Sequence, residues 1–329
     1  MLATVDVAAA APEAGGIGLA PAHFDPSNPR TRAYFIHDVA PGQSFADTVI
    51  VTNTGTSSVD LHVNAVDALT GVTTGAVYAN RQDPVRRWGA WVTPSVSEVT
   101  APPQSRTPVD FTVHVPADAR PGDHLAGIAF ENAHPQAVGK TLSVTTVTRS
   151  VIGVLTKVDG VAGIHFHIDQ VSFAPLPADQ QASVVVTLGN DGLLLAKPNL
   201  QVALTGPNGY QRTVGGVLDT VLPGDTIAYA MPWPAPLAAG TYQAIVSAGA
   251  SGMTSPTTLS STVTLASALV GPAASTTATA EPALLTTSEQ GHGSWWIVPA
   301  VLVALVVGGG GGALLTWRLA GRAGTGGGS

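Results

Sequence analysis

Apolar and polar residues alternate along much of this chain with the two-residue period of a strand that buries one face and wets the other. Val109, Phe111, Val113 and Val115 alternate with Asp110, Thr112 and His114, and Pro116 ends the run because it brings no ladder N–H. The period returns at Ile164, Phe166 and Ile168, at Val184, Val186 and Leu188, at Leu200, Val202 and Leu204, and at Tyr242, Ala244 and Val246. Turn signals such as Gly206-Pro207-Asn208-Gly209 separate these short runs. The pattern predicts an all-β region of packed antiparallel sheets.

The same order of signals occurs twice. Asn53-Thr54-Gly55, Pro116 and Pro121-Gly122-Asp123 are matched by Asn190-Asp191-Gly192, Pro232 and Ala239-Gly240-Thr241. Each copy predicts one immunoglobulin-like β-sandwich, at 16–158 and 159–267, after a 1–15 segment that is a flexible terminus or the remnant of an export signal. The first copy is longer between its Asn53 turn and its closing proline, and the extra residues fall around Ala68 to Ala101. They include Tyr78, Asn80, Arg81, Arg86, Arg87, Trp88 and Trp91. Insertions on a rigid scaffold tend to carry function. Indole faces stack on sugars and arginine forks hold carboxylates or phosphates, so this cluster is the candidate ligand site, for an anionic glycan.

A second kind of pattern closes the chain. From Trp295 to Trp317 there is no charged residue, and a helix of that length, at about 1.5 Å per residue, spans a hydrocarbon core of about 30 Å. The segment 295–317 is therefore expected to be a transmembrane helix, with Arg318 and Arg322 in a cytoplasmic tail, 318–329, and everything before it outside. The Ala/Ser/Thr/Pro-rich stretch 268–294 reads as a stalk. Ala300, Ala304, Gly308, Gly312 and Thr316 recur every four residues, a small-residue stripe on which a second helix packs closely. These features predict a single-pass type I protein of the cell membrane with its N-terminal region extracellular.

Composition narrows the chemistry. The absence of cysteine excludes disulfides, zinc–thiolate sites and thiol nucleophiles. A net charge of -7 lacks the dense basic surface that nucleic acid requires. No Gly-x-Ser-x-Gly elbow, phosphate loop or His-Glu-x-x-His motif is present, so no catalytic residue, metal or cofactor is assigned and the chain is read as non-enzymatic. His165 and His167 share a strand face without a third ligand, and Asp118 and Asp123 are too few for calcium and are read as turn caps.

The segments Gly18-Leu19-Ala20-Pro21, Val39-Ala40-Pro41-Gly42-Gln43 and Val49-Ile50-Val51-Thr52-Asn53-Thr54-Gly55 resemble the opening of the WxL-interacting cell-surface protein family. Pro102-Pro103-Gln104-Ser105, Val113-His114-Val115-Pro116 and His124-Leu125-Ala126-Gly127-Ile128 keep that family's order. The resemblance covers roughly the first copy. It implies a bacterial chain with a signal peptide, a peptidoglycan-binding N-terminal domain, a second β domain and one C-terminal span. Together these signals lead to the expectation of a membrane-anchored envelope protein whose partner is peptidoglycan or another wall glycan. The alternative is an accessory subunit or adhesion module that binds another envelope or membrane protein through its sandwiches and its small-residue stripe.

Overall fold

The computed structural model describes residues 16–268 apart from 136, 139–143, 146 and 176–181. The chain forms two immunoglobulin-like β-sandwiches. The first contains β1 (Ile17–Pro21), β2 (Tyr34–Val39), β3 (Ser44–Asn53), β4 (Val59–Gly71), β5 (Gly75–Tyr78), β6 (Val92–Pro94), β7 (Glu98–Ala101), β8 (Ser105–His114), β9 (Gly122–Asn132), the short pair β10 (Ala137–Val138) and β11 (Val144–Thr145), and β12 (Arg149–Val158). One sheet has the order β1-β3-β8-β6 and the other β2-β12-β9-β4, with β5 and β7 both pairing with β4. All these pairings are antiparallel except that of β2 with β12.

The alternation on β8 does what the pattern requires: Val109, Phe111 and Val113 are buried while Asp110 and His114 are exposed. These residues meet Phe35, Ile128, Phe130, Ile152 and Val154 from the other sheet in one apolar core. Phe35 and Phe111 pack edge to face at 4.8 Å. Strand β9 does not alternate, because both of its faces are covered. Ala126, Ile128 and Phe130 face the core, while Leu125 lies under Leu155 and Leu222 on the outer side.

The second sandwich contains β13 (Phe166–Pro175), β14 (Ala182–Asn190), β15 (Asn199–Thr205), β16 (Gln211–Val217), β17 (Thr226–Pro232), β18 (Gly240–Gly249) and β19 (Thr257–Leu265). Its sheets are β13-β14-β17 and β16-β15-β18-β19. Its core holds Phe166, Leu188, Leu200, Leu204, Trp233 and Tyr242. The two polar tips inside it are both used: Trp233 Nε1–H donates to Tyr210 Oη at 2.6 Å, and Tyr242 Oη–H donates to the Ala238 carbonyl at 2.9 Å.

The repeated Asn-x-Gly turn is one device built twice. Asn53 is fully buried; its Oδ1 accepts from Gly55 N–H, and its Nδ2 donates to the carbonyls of Ser57 and Ala101. Asn190 is equally buried, accepts from Gly192 N–H, and donates to the carbonyls of Leu194 and Val221. In each sandwich one amide side chain thus ties the end of a strand to a carbonyl of its own following loop and to one of a distant segment, Ala101 or Val221.

Candidate functional site

The insertion in the first sandwich is folded against its own scaffold and against the second sandwich. Asp67, buried at the far end of β4, accepts from the backbone N–H groups of Arg86, Arg87 and Gly89 at 2.7, 2.9 and 2.9 Å, which fixes the path of the loop. That path carries the Arg87 side chain across to the second sandwich. Its Nη1 meets Asp225 Oδ1 at 2.5 Å, its Nη2 donates to the Pro223 carbonyl at 2.7 Å, and its guanidinium carbon lies 4.3 Å from the centre of the Trp88 ring. The other Asp225 oxygen accepts from both N–H and Oγ1–H of Thr70 at 2.8 Å, and Thr70 Oγ1 in turn accepts from Leu222 N–H. Asp123 adds a third tie, with its N–H on the Leu193 carbonyl and its Oδ2 accepting from Leu195 N–H. This carboxylate, read from sequence as a turn cap, belongs to the joint between the sandwiches. At Gly122, whose φ is +111°, an added Cβ would lie 2.1 Å from the Leu193 carbonyl oxygen, so the contact admits only glycine.

The remaining members of the predicted cluster are dispersed. Tyr78 lies across Gly127 and Gly153, where any Cβ would strike its ring or hydroxyl. Burial, and after it the neighbouring Tyr34, holds its phenol well above the usual range. Arg81 pairs with Glu131 at 3.0 Å. Asn80 is exposed, and its backbone N–H donates to Asp83 Oδ2 at 2.7 Å, so the carboxylate of Asp83 caps the turn. Arg86 is exposed and engages Asp67 through its backbone. Trp88 and Trp91 are half-buried and pack on the first core. Arg87 and Trp88 are thus brought together at the joint, whereas Asn80, Arg81 and Arg86 sit elsewhere on the loop and Tyr78 ends β5.

His124 sits against both indoles, 5.3 Å from Trp88 and 4.7 Å from Trp91. Its Nε2 is 2.8 Å from the Arg120 carbonyl, which can only accept, so Nε2 carries the proton of the neutral ring. Burial lowers its pKa below the ordinary 6.5. Below that value the unfolded chain binds a proton that the folded chain refuses, so stability is complete above about pH 6.5 and falls as the pH drops through it. Thermal melts at pH 7.5 and pH 5 should show a smaller loss in His124→Gln than in the parent protein; equal losses would remove His124 as the cause.

A second feature escaped the sequence reading. Strand β12 pairs with β9 along its whole length, Arg149 to Val158, but with β2 only from Gly153 onwards. Among the described residues no strand pairs with the other edge of Arg149–Ile152. Arg149 is fixed by donating to the carbonyls of Tyr78 and Ala79 at 3.0 and 2.6 Å, and Ser150 Oγ–H donates to the Ile17 carbonyl at 3.3 Å. Val147, just before the strand, is half exposed, as is Tyr34 where β2 begins. The run of β-branched residues through Val144, Thr145, Val147, Thr148, Val151 and Ile152 is the signal that marks this stretch as a strand.

No family model and no curated protein matches the chain. Among solved structures, it is similar to a chaperone–tip adhesin complex of CFA/I fimbriae biogenesis at 11% identity and a TM-score of 0.38, covering 75% of this chain and 98% of that one. It is also similar to the class 5 fimbriae chaperone CfaA at 10% identity and a TM-score of 0.37, covering 74% and 98%. A third is a Salmonella enterica SafA pilin in complex with the SafB chaperone, at 13% identity and a TM-score of 0.37, covering 76% and 99%. The expected membership of the WxL-interacting family is corrected: no family model matches the chain, and the three structures named here are described as fimbrial chaperones or their complexes. With it go the expected peptidoglycan or wall-glycan partner and the expected role as a membrane-anchored wall binder. The type I membrane location is likewise not carried forward: among the described residues no helix is long and apolar enough to cross a membrane. The expected span 295–317, with Ala300, Ala304, Gly308, Gly312 and Thr316, lies outside the described residues.

Proposed function

We propose that the two sandwiches form a non-enzymatic protein-binding module that receives an extended segment of another protein as an added strand beside β12. The observation that supports this is that, among the described residues, no strand pairs with the outer edge of Arg149–Ile152, which β9 holds in strand conformation on its other side. An open edge presents a row of N–H and C=O groups that pair with any extended chain, and neighbouring side chains select which one. Val147 and Tyr34 flank the edge with exposed apolar surface. This keeps the accessory-subunit reading of the sequence in its protein-binding part.

The test uses an array of synthetic seven-residue peptides in which apolar and polar residues alternate, each paired with a copy N-methylated at every second residue. Binding by the full chain should appear for a subset, fall at least about tenfold on N-methylation, which removes ladder donors, and fall similarly in Val147→Asp. Equal binding of the methylated copies, or no binding across the array, would contradict the reading.

A further inference from the structure

Strand β16 (Gln211–Val217) lies at one end of the order β16-β15-β18-β19, and among the described residues no strand pairs with its outer edge. The phase of the ladder says which groups that edge presents. Gly206 N–H donates to the Tyr210 carbonyl and Leu218 N–H to the Pro198 carbonyl, so the even-numbered residues of β16 bond to β15. Gln211, Thr213, Gly215 and Val217 therefore turn their N–H and C=O groups outwards. Edge strands are ordinarily kept from one another by proline, a bulge or charge. In this chain β1 ends in Pro21, β6 ends in Pro94, and β13 is bulged between Ile168 and Gln170. Strand β16 has no proline, keeps unbroken register with β15, and carries one charge, Arg212.

We propose that β16 is a self-association edge: two copies of the chain pair β16 with β16, antiparallel about a two-fold axis at Val214, and join their sheets into one. Such an axis lets one strand serve both sides of the contact. With Val214 on the axis, Thr213 faces the partner's Gly215 and Gln211 faces the partner's Val217, so each outward residue meets an outward residue and the bonds are exchanged in pairs. Arg212 then lies opposite the partner's Gly216, and no like charges meet. The surrounding face is neutral as well. Leu200, Val202 and Leu204 of β15 are buried, which puts Thr205, Ala203 and Asn199 on the outer face in line with Gln211, Thr213 and Val217, and none of these is charged. A chain of net charge -7 repels its own copies, and a neutral edge is where that repulsion is least. Val217, which is 70% exposed, adds apolar surface for the pairing to cover. The edge belongs to the second sandwich, uses no part of β12, and stands independently of the peptide-binding reading.

The test is sedimentation equilibrium of the full chain, which should show a monomer–dimer equilibrium with a midpoint between about 10 µM and 1 mM, weak because the edge buries little apolar surface. Gln211→Lys combined with Val217→Lys sets like charges opposite one another at both ends of the pair and should weaken dimerisation about tenfold. Gln211→Lys combined with Val217→Glu sets opposite charges there and should restore it. Both positions are exposed, so the two double variants keep the fold. Hydrogen exchange at single amides should slow with rising concentration at Thr213 and Gly215 and stay constant at Arg212 and Val214. A monomer at every concentration, or equal dimerisation of the two double variants, would overturn the proposal. So would full protection of Thr213 and Gly215 at high dilution, the result expected if another part of the same chain covers the edge.

Discussion

Replacing Arg87 by Met is expected to uncouple the two sandwiches. The guanidinium holds Asp225 and the Pro223 carbonyl at the same time, and its side chain and that of Asp225 are only 24% and 14% exposed. Methionine keeps much of the packing on Trp88 but leaves a largely buried carboxylate with only Thr70 as its partner. Truncating one member of such a pair costs about 2–5 kcal/mol, most of it from the charge left behind. The parent chain should unfold in urea with the two sandwiches reporting together, through hydrogen exchange at β9 and at β14. In Arg87→Met the two sets of amides should open at separate denaturant midpoints. Asp225→Asn should do the same, and the double variant should cost less than the sum of the singles, because the two side chains act as one unit. A single shared transition at the parental midpoint in Arg87→Met would mean that the joint does not couple the sandwiches.

Trp233→Ala should be the most damaging single change within the second sandwich. Trp233 is 1% exposed and is among the largest fully buried side chains of the described residues. Truncation removes the indole, opens a cavity between the sheets and withdraws the donor from Tyr210 Oη. Large-to-small changes of this kind cost about 3–5 kcal/mol. Trp233→Phe separates the two effects, since it fills most of the space and loses only the hydrogen bond, for about 1 kcal/mol. Urea unfolding followed at β14 and β18 should rank the parent above Trp233→Phe and Phe above Ala. The first sandwich should keep its own core packing in both variants, since Trp233 belongs to the second core.

The strands were legible because the alternation is a local consequence of one covered face, as at Val109, Phe111 and Val113. The duplicated Asn-x-Gly turn was legible as a repeat, although its function, a buried amide clamping two carbonyls, appears only when the distant segments at Ala101 and Val221 are in place. Strand β9 was hidden from a period-two reading because its outer face is covered as well, Leu125 by Leu222 of the second sandwich, Gly127 by Tyr78 and Glu131 by Arg81. The insertion was found by comparing the two copies, but its contacts were not, because Asp225 lies 138 residues from Arg87. Charge and indole rings look alike in a sequence whether they await a ligand or fasten a joint. The edge was invisible for a different reason: β2 begins too late to reach Arg149–Ile152, and among the described residues no strand takes its place in the ladder, which no residue type announces.

The most direct test of the strand-edge account is amide hydrogen exchange across Arg149–Ile152, with the full chain free and then saturated with the tightest-binding alternating peptide. The account predicts that this stretch gains protection in the complex, at amides turned away from β9, and that the N-methylated copy produces none. Protection that appears only elsewhere, with Arg149–Ile152 exchanging as in the free chain, would contradict it.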